Sequence, residues 1–207
     1  TYASPGPIRR FTGLDPGHPV AGWCAAHGCV TAAAAGVTAT AGPATRYLLA
    51  HQHPDGSWPG YWWPDREYPV AHAAEALAAS AGNTATRAAL GRATRWAATR
   101  LGTDGVVRTT AYPDGSAFAT ALALRAALAG SRDLGPDQLG TGRLGTGRLG
   151  TGRLGTGQLG TGLLGVGPVR AAVGWLCRSI RPDGSWPPSA LLRLPDPADV
   201  DPDRAGG

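Results

Sequence analysis

Three Asp-Gly pairs, each set eight residues after an aromatic side chain, constrain this sequence more than any other feature. Tyr47 leads to Asp55-Gly56, Trp96 to Asp104-Gly105, and Trp175 to Asp183-Gly184. In the first and third a tryptophan, Trp58 or Trp186, follows two residues after the glycine. Tyr47 and Trp96 are 49 residues apart, whereas Trp96 and Trp175 are 79 apart. Of those 79 residues, 30 form a tandem tract at 138–167, six copies of a five-residue Leu-Gly-Thr-Gly-type unit. Without the tract the second interval is also 49. A period of this length is the mark of stacked helical hairpins, each too small to bury its own apolar face.

Each repeat predicts two helices. The first kind, over 43–52, 84–101 and 169–180, runs into the Asp-Gly signal, where glycine accepts positive φ and, in two of the three, a proline denies the helix a donor. The second kind follows a Pro-Asp turn, over 68–80 and 118–129, with 30–41 as a third. The first kind carries more charge, including Arg87, Arg92, Arg95 and Arg100; the second is apolar nearly all round. Apolar helices belong inside and amphipathic ones outside. The expected fold is therefore all-α, a partial α/α toroid with a 49-residue repeat. Its domain takes in 1–137 and 168–193, with 138–167 a flexible Gly-rich insertion and 194–207 a Pro- and Asp-rich tail. A tract with one leucine in most units and glycine at two of every five positions cannot offset its ordering entropy.

Composition excludes several classes. All 19 basic residues are arginine, and the abundance of Ala, Gly, Pro and Arg has the look of a GC-rich coding sequence, which discounts the net charge of +5. The arginines are scattered, so no nucleic-acid surface is expected. Cys24, Cys29 and Cys177 are an odd number in a chain that needs no staples, which points to a reducing compartment. No signal peptide and no 18-residue apolar run occur. A cytoplasmic protein, or one peripheral to a membrane, is expected. The chain opens on Thr and contains no Met, as a cut or processed chain would.

Gln52-His-Pro-Asp55-Gly56-Ser-Trp58 resembles the QW motif of squalene–hopene cyclases and class II terpene cyclases, and Asp183-Gly184-Ser185-Trp186 is a partial second copy. Prenyltransferase β subunits and complement-type thioester domains share such a toroid. The resemblance implies that Gln52 and Trp58, with Asp55, Gly56, Asp183, Gly184 and Trp186, tie neighbouring outer helices together. It also implies a protonating carboxylate in an Asp-x-Asp-Asp-Thr-Ala motif opening an inner helix. Thr120-Ala121 matches the end of that motif, but Ser116-Ala117-Phe118-Ala119 precedes it and holds no carboxylate. Protonating an alkene needs an acid in a dry site, which serine cannot replace. The zinc ligands of the prenyltransferases and the thioester motif are not matched either.

Among the remaining candidates, His72 and Glu75 lie three apart on an inner helix and so share a face. They could act as an acid–base pair, or Glu75 could pair with Arg125. Tyr61, Trp62, Trp63, Tyr68 and Phe118, with Arg125, could line a substrate cavity in which the rings stabilise carbocations, or the rings could pack between layers. Asp65 and Glu67 suit a helix N-terminus, where the macrodipole favours negative charge. Cys24, His27 and Cys29 have loose zinc-like spacing but too few ligands, and no metal or cofactor is expected. Two functions follow: a terpene cyclase-like or prenyltransferase-like protein handling an isoprenoid in a helix-lined apolar cavity, or a non-catalytic toroid fragment binding a hydrophobic ligand or partner chain. Six helices leave the toroid open, so the isolated chain is expected to self-associate, to accept a complementary segment, or to be poorly ordered at residues 1–20 and 187–207.

Overall fold

The structure, a computed structural model, describes residues 4–37, 41–80, 82–131 and 166–200. All of the tandem tract except its last two residues lies outside them. Among the described residues the regular structure is entirely helical: α1 (Pro5–Thr12), α2 (Ala21–Cys24), α3 (Gly28–Ala35), α4 (Ala41–Ala50), α5 (Glu67–Ala79), α6 (Thr84–Leu101), α7 (Ala117–Ser131) and α8 (Val166–Arg178).

Helices α3, α5 and α7 pack side by side in that order, and α4, α6 and α8 lie against them. The alanine-rich sequence of the first set permits this: Val70, Ala71, Ala73, Ala74 and Leu77 of α5 and Ala119, Ala123, Ala126 and Ala127 of α7 are all buried. Small side chains let the helix axes approach, while each buried Leu or Val contributes about 1.5–3 kcal/mol. Helix α6 keeps Arg87 and Arg95 in solvent and buries Ala89, Leu90, Ala93, Ala97 and Leu101. Asn83 caps its start, its side chain accepting from the Thr86 N–H at 2.9 Å, which stabilises such a terminus by about 1 kcal/mol. This is a partial α/α toroid with inner and outer layers.

Over their described residues both ends make contacts that the sequence does not announce. Residues 1–20 contain α1, started by proline in its first turn and stopped at Gly13, whose φ is +70° and whose N–H returns to Arg9 O. It has no apolar period long enough to see in sequence. At the other end, 187–200 is no detached tail. It runs extended past the N-terminal ends of the inner helices. Phe118 N–H donates to Ser189 Oγ and Ser116 Oγ to Ser189 O. Arg193 N–H donates to Trp62 O, and its guanidinium to the carbonyls of Gly60 and Tyr61. Trp23 Nε1 donates to Pro195 O at 3.1 Å, Gly22 N–H to Pro197 O at 2.9 Å, and the Tyr61 hydroxyl to Asp199 O at 2.9 Å. Proline-rich backbone is short of donors but keeps every carbonyl, and the strap is held largely by those carbonyls.

The Asp-Gly turns at 55 and 183 share one geometry. Asp55 Oδ1 accepts from Ser57 N–H and Oγ, as Asp183 Oδ1 does from Ser185. Trp58 Nε1 donates to Leu48 O and Trp186 Nε1 to Leu176 O, each at 2.9 Å. Gln52 reaches from the end of α4 to α6, donating to Ala89 O at 2.9 Å and accepting from the Arg92 guanidinium. Gly56 has φ +97°, and a Cβ there would lie 2.4 Å from Arg92 O. Gly56→Ala should therefore cost about 2–3 kcal/mol, combining left-handed strain with a backbone clash. Gly184→Ala, with φ +83° but nothing within 4 Å, should cost about 1 kcal/mol of strain alone. Urea unfolding of the two variants checks the difference.

Candidate functional site

The inner-helix N-terminus that would carry an acid is α7. Ser116 occupies its cap position, fully buried, with Oγ accepting from Ala119 N–H at 3.0 Å. Thr120 Oγ1 accepts from Val107 N–H at 3.0 Å. With the strap's Ser189 bound as well, the polar groups at this terminus are engaged by the protein itself. No carboxylate lies at positions 116–119.

A face shared by α5 and α7 is better equipped. Tyr68 and His72 follow one another along α5, ring centroids 4.6 Å apart. Phe118 of α7 lies 6.3 Å from Tyr68, and Trp63, from the turn before α5, stacks on Tyr68 at 4.8 Å and meets Phe118 at 5.0 Å. All four rings are half-buried. One turn beyond His72, Glu75 and Arg125 form a two-pronged ion pair, Nε to Oε1 at 2.9 Å and Nη2 to Oε2 at 2.7 Å. Burial and then the Arg125 charge push the His72 pKa below its usual value, with Glu75 opposing. Of the two roles open to Glu75, the structure shows the ion pair with Arg125, in which both of its oxygens accept and the two side chains are 41% and 46% exposed.

The aromatic run thus divides. Trp63 joins Tyr68 and Phe118, whereas Tyr61 and Trp62 turn to a second cluster that sequence reasoning missed. There His27 stacks on Tyr61 at 3.7 Å, and Trp23 lies 5.8 Å from Trp62. His27 Nε2 bonds Gly22 O at 2.8 Å, and burial lowers its pKa despite that bond. A neutral ring must be the Nε2–H tautomer to donate there. Burial and the nearby Asp199 push Tyr61 up to about 12. The cluster is the strap's docking point, joined over more than 130 residues of chain; local spacing carries no trace of it. Cys29 is buried and its thiol shifted upward by desolvation. Cys24, Cys29 and Cys177 are free thiols.

Two hollows remain. One of about 290 Å³ lies between Tyr112, Gly115 and Trp175 and the strap's Pro187, Pro188 and Ser189. The other, about 270 Å³, is polar and lies at the start of α5 among Asp65, Arg66, Glu67, Trp96 and Arg100. Glu67, 2% exposed, accepts from Arg100 Nε there. Burial raises the Asp65 pKa, with Arg100 pulling the other way. Among the described residues no three His, Cys, Asp or Glu side chains are grouped to hold a metal, and no helix is long and apolar enough to cross a membrane.

An inner and outer layer of helices with an aromatic inner face defines a class II terpene cyclase-like fold, and solved structures bear this out. Type II terpene cyclase MstE from Scytonema, without ligand, superposes with a TM-score of 0.76 at 33% identity over 97% of this chain and 50% of that one. A variant of the same enzyme bound to its substrate, geranylgeranyl dihydroxybenzoate, gives 0.77 at 33% identity over 97% and 49%. A protein from Actinoplanes gives 0.70 at 39% identity over 95% and 49%. The chain spans about half the length of these structures. No protein-family model and no curated protein matches the sequence.

Proposed function

We propose that this chain is one half of a terpene cyclase-like enzyme and holds a polyprenyl chain of the geranylgeranyl type against the shared face of α5 and α7. The observation that carries this is the continuous run of Trp63, Tyr68, Phe118 and His72, half-exposed and ending at the Glu75–Arg125 pair. A row of π faces stabilises positive charge passing along an isoprenoid, by up to about 2 kcal/mol per ring in a desolvated site. Arg125 and Glu75 suit the polar end of such a ligand, accepting from a phenolic hydroxyl or donating to a carboxylate. The initiating proton comes from a carboxylic acid outside this chain, because Ser116 and its neighbours cannot supply it.

The reading predicts binding without turnover by this chain alone. Geranylgeranyl dihydroxybenzoate, the substrate held by the solved cyclase, should quench tryptophan fluorescence on titration. Trp63→Leu and Phe118→Ala should each weaken the affinity about tenfold, the loss of roughly 1.4 kcal/mol of ring contact. Trp23→Leu, in the other cluster, should leave it within about twofold, a change too small to mark a lost contact. Equal affinities in all three variants would remove the α5–α7 face from the reading.

A further inference from the structure

We propose that the hollow beside Trp175 is a second binding site, independent of the α5–α7 face, for a small molecule bearing a guanidinium group. The two hollows of this chain are built at matching positions. Pro64, Asp65 and Trp96 border one; Pro113, Asp114 and Trp175 border the other. Asp114 follows Asp65 by 49 residues, and Trp175 follows Trp96 by 79, of which the tandem tract supplies 30. Three charged side chains, Arg66, Glu67 and Arg100, also border the first hollow. At the same spacings in the second stand Gly115, Ser116 and Ser179.

The first hollow shows what such a place receives. Arg100 sets its guanidinium over the Trp96 ring, 6.0 Å from the centroid, and donates to Glu67 and to Arg108 O. Its charge also opposes the effect of burial on Asp65.

In the second hollow much of that reception persists without the guanidinium. Trp175 is packed tightly against the turn, since a Cβ on Gly115 would lie 2.8 Å from its ring. Pro187, 79 residues after Arg108, borders the hollow and keeps its backbone carbonyl as an acceptor. Among the described residues Asp114 is the only charged one bordering it. An indole face beside a carboxylate is the pairing that holds an organic cation. Ser179 does not replace Arg100, because its Oγ donates back to Trp175 O at 2.8 Å. Ser116 Oγ is likewise committed to Ser189 O at 2.9 Å.

The size of the space sets the rest of the ligand. At about 290 Å³ it has room for more than a guanidinium, and Tyr112, Pro187 and Pro188 offer apolar contact to an alkyl stem. The strap closes one side, with Ser189 bonded to Ser116 and Phe118. That closure favours a small molecule over a segment of polypeptide.

The test is a titration of the 207-residue chain with n-butylguanidinium, followed by the indole N–H resonance of Trp175, which Trp175→Phe identifies by its loss. The resonance should shift and saturate, while that of the buried Trp58 stays in place. The uncharged n-butylurea, of the same shape, should bind at least about tenfold more weakly, and Asp114→Asn should weaken n-butylguanidinium by about tenfold. Ser179→Arg supplies the guanidinium from within the chain and should abolish the shift while parental helical circular dichroism is kept. No saturable shift in the parent, equal binding of the urea, or undiminished binding by Ser179→Arg would each overturn the proposal. So would N-acetylarginine amide binding about tenfold more tightly than n-butylguanidinium, which would assign the hollow to a polypeptide segment.

Discussion

Trp58→Ala should lower stability by about 3–5 kcal/mol, the range for a large aromatic removed from a packed core, while Trp186→Ala should cost only about 1 kcal/mol. The two indoles make the same bond, Nε1 to a helix-end carbonyl ten residues earlier, at the same 2.9 Å. Their surroundings differ. Trp58 is 0% exposed, beside Gly28 of α3 and under the Gln52–Arg92 link to α6. Trp186 is 44% exposed. Truncation at 58 leaves a cavity and strips a buried carbonyl of its partner; at 186 water enters and satisfies Leu176 O. Urea titrations should show a much lower midpoint for the first variant at unchanged slope. Equal losses would mean that the indole–carbonyl bond, not burial, carries the motif.

The second large effect is expected at Arg100→Met, with a loss of about 3 kcal/mol, the low end for breaking a buried pair because the arginine keeps contact with water. Glu67 is 2% exposed and Arg100 36%. Removing the guanidinium strands a carboxylate in the first turn of α5, with only the helix terminus to offset its burial. Arg100→Met combined with Glu67→Gln should recover at least half of the loss, since no charge is then left unpaired. A double variant as unstable as the single one would show that Arg100 acts by packing over Trp96, whose ring lies 6.0 Å beneath it.

The layered helices were legible because their cause is local. The four arginines of α6 against the few charges of α5 and α7 separate outer from inner without any coordinates, and the predicted 84–101 coincides with α6, Thr84–Leu101. The start of α7 was legible as well, since the Pro113-Asp114 turn placed a helix from 118 and α7 begins at Ala117. What stayed hidden was made by contacts distant in sequence. The strap has no period and little apolar patterning, and proline there suggested an unstructured tail. It is held largely through its own backbone carbonyls, which any sequence possesses. The division of Tyr61, Trp62 and Trp63 between two clusters was likewise unreadable, because consecutive residues in a turn can face opposite ways. The pairing of Glu75 was legible only as one of two alternatives, because placing it on the inner face was easier than knowing that Arg125, 50 residues on, would bind both oxygens.

The strap also bears on how freely the tandem tract can change in length. Closing it joins Trp23 to Pro195, a span of 172 residues, so the entropy of that closure depends on the logarithm of a large number. Adding or deleting one five-residue unit of the tract alters that closure, and the shorter one between α7 and α8, by no more than about 0.1 kcal/mol. Slippage between five-residue units during replication is therefore nearly invisible to the folded protein, and the copy number can drift among descendants while the helices on either side are held fixed.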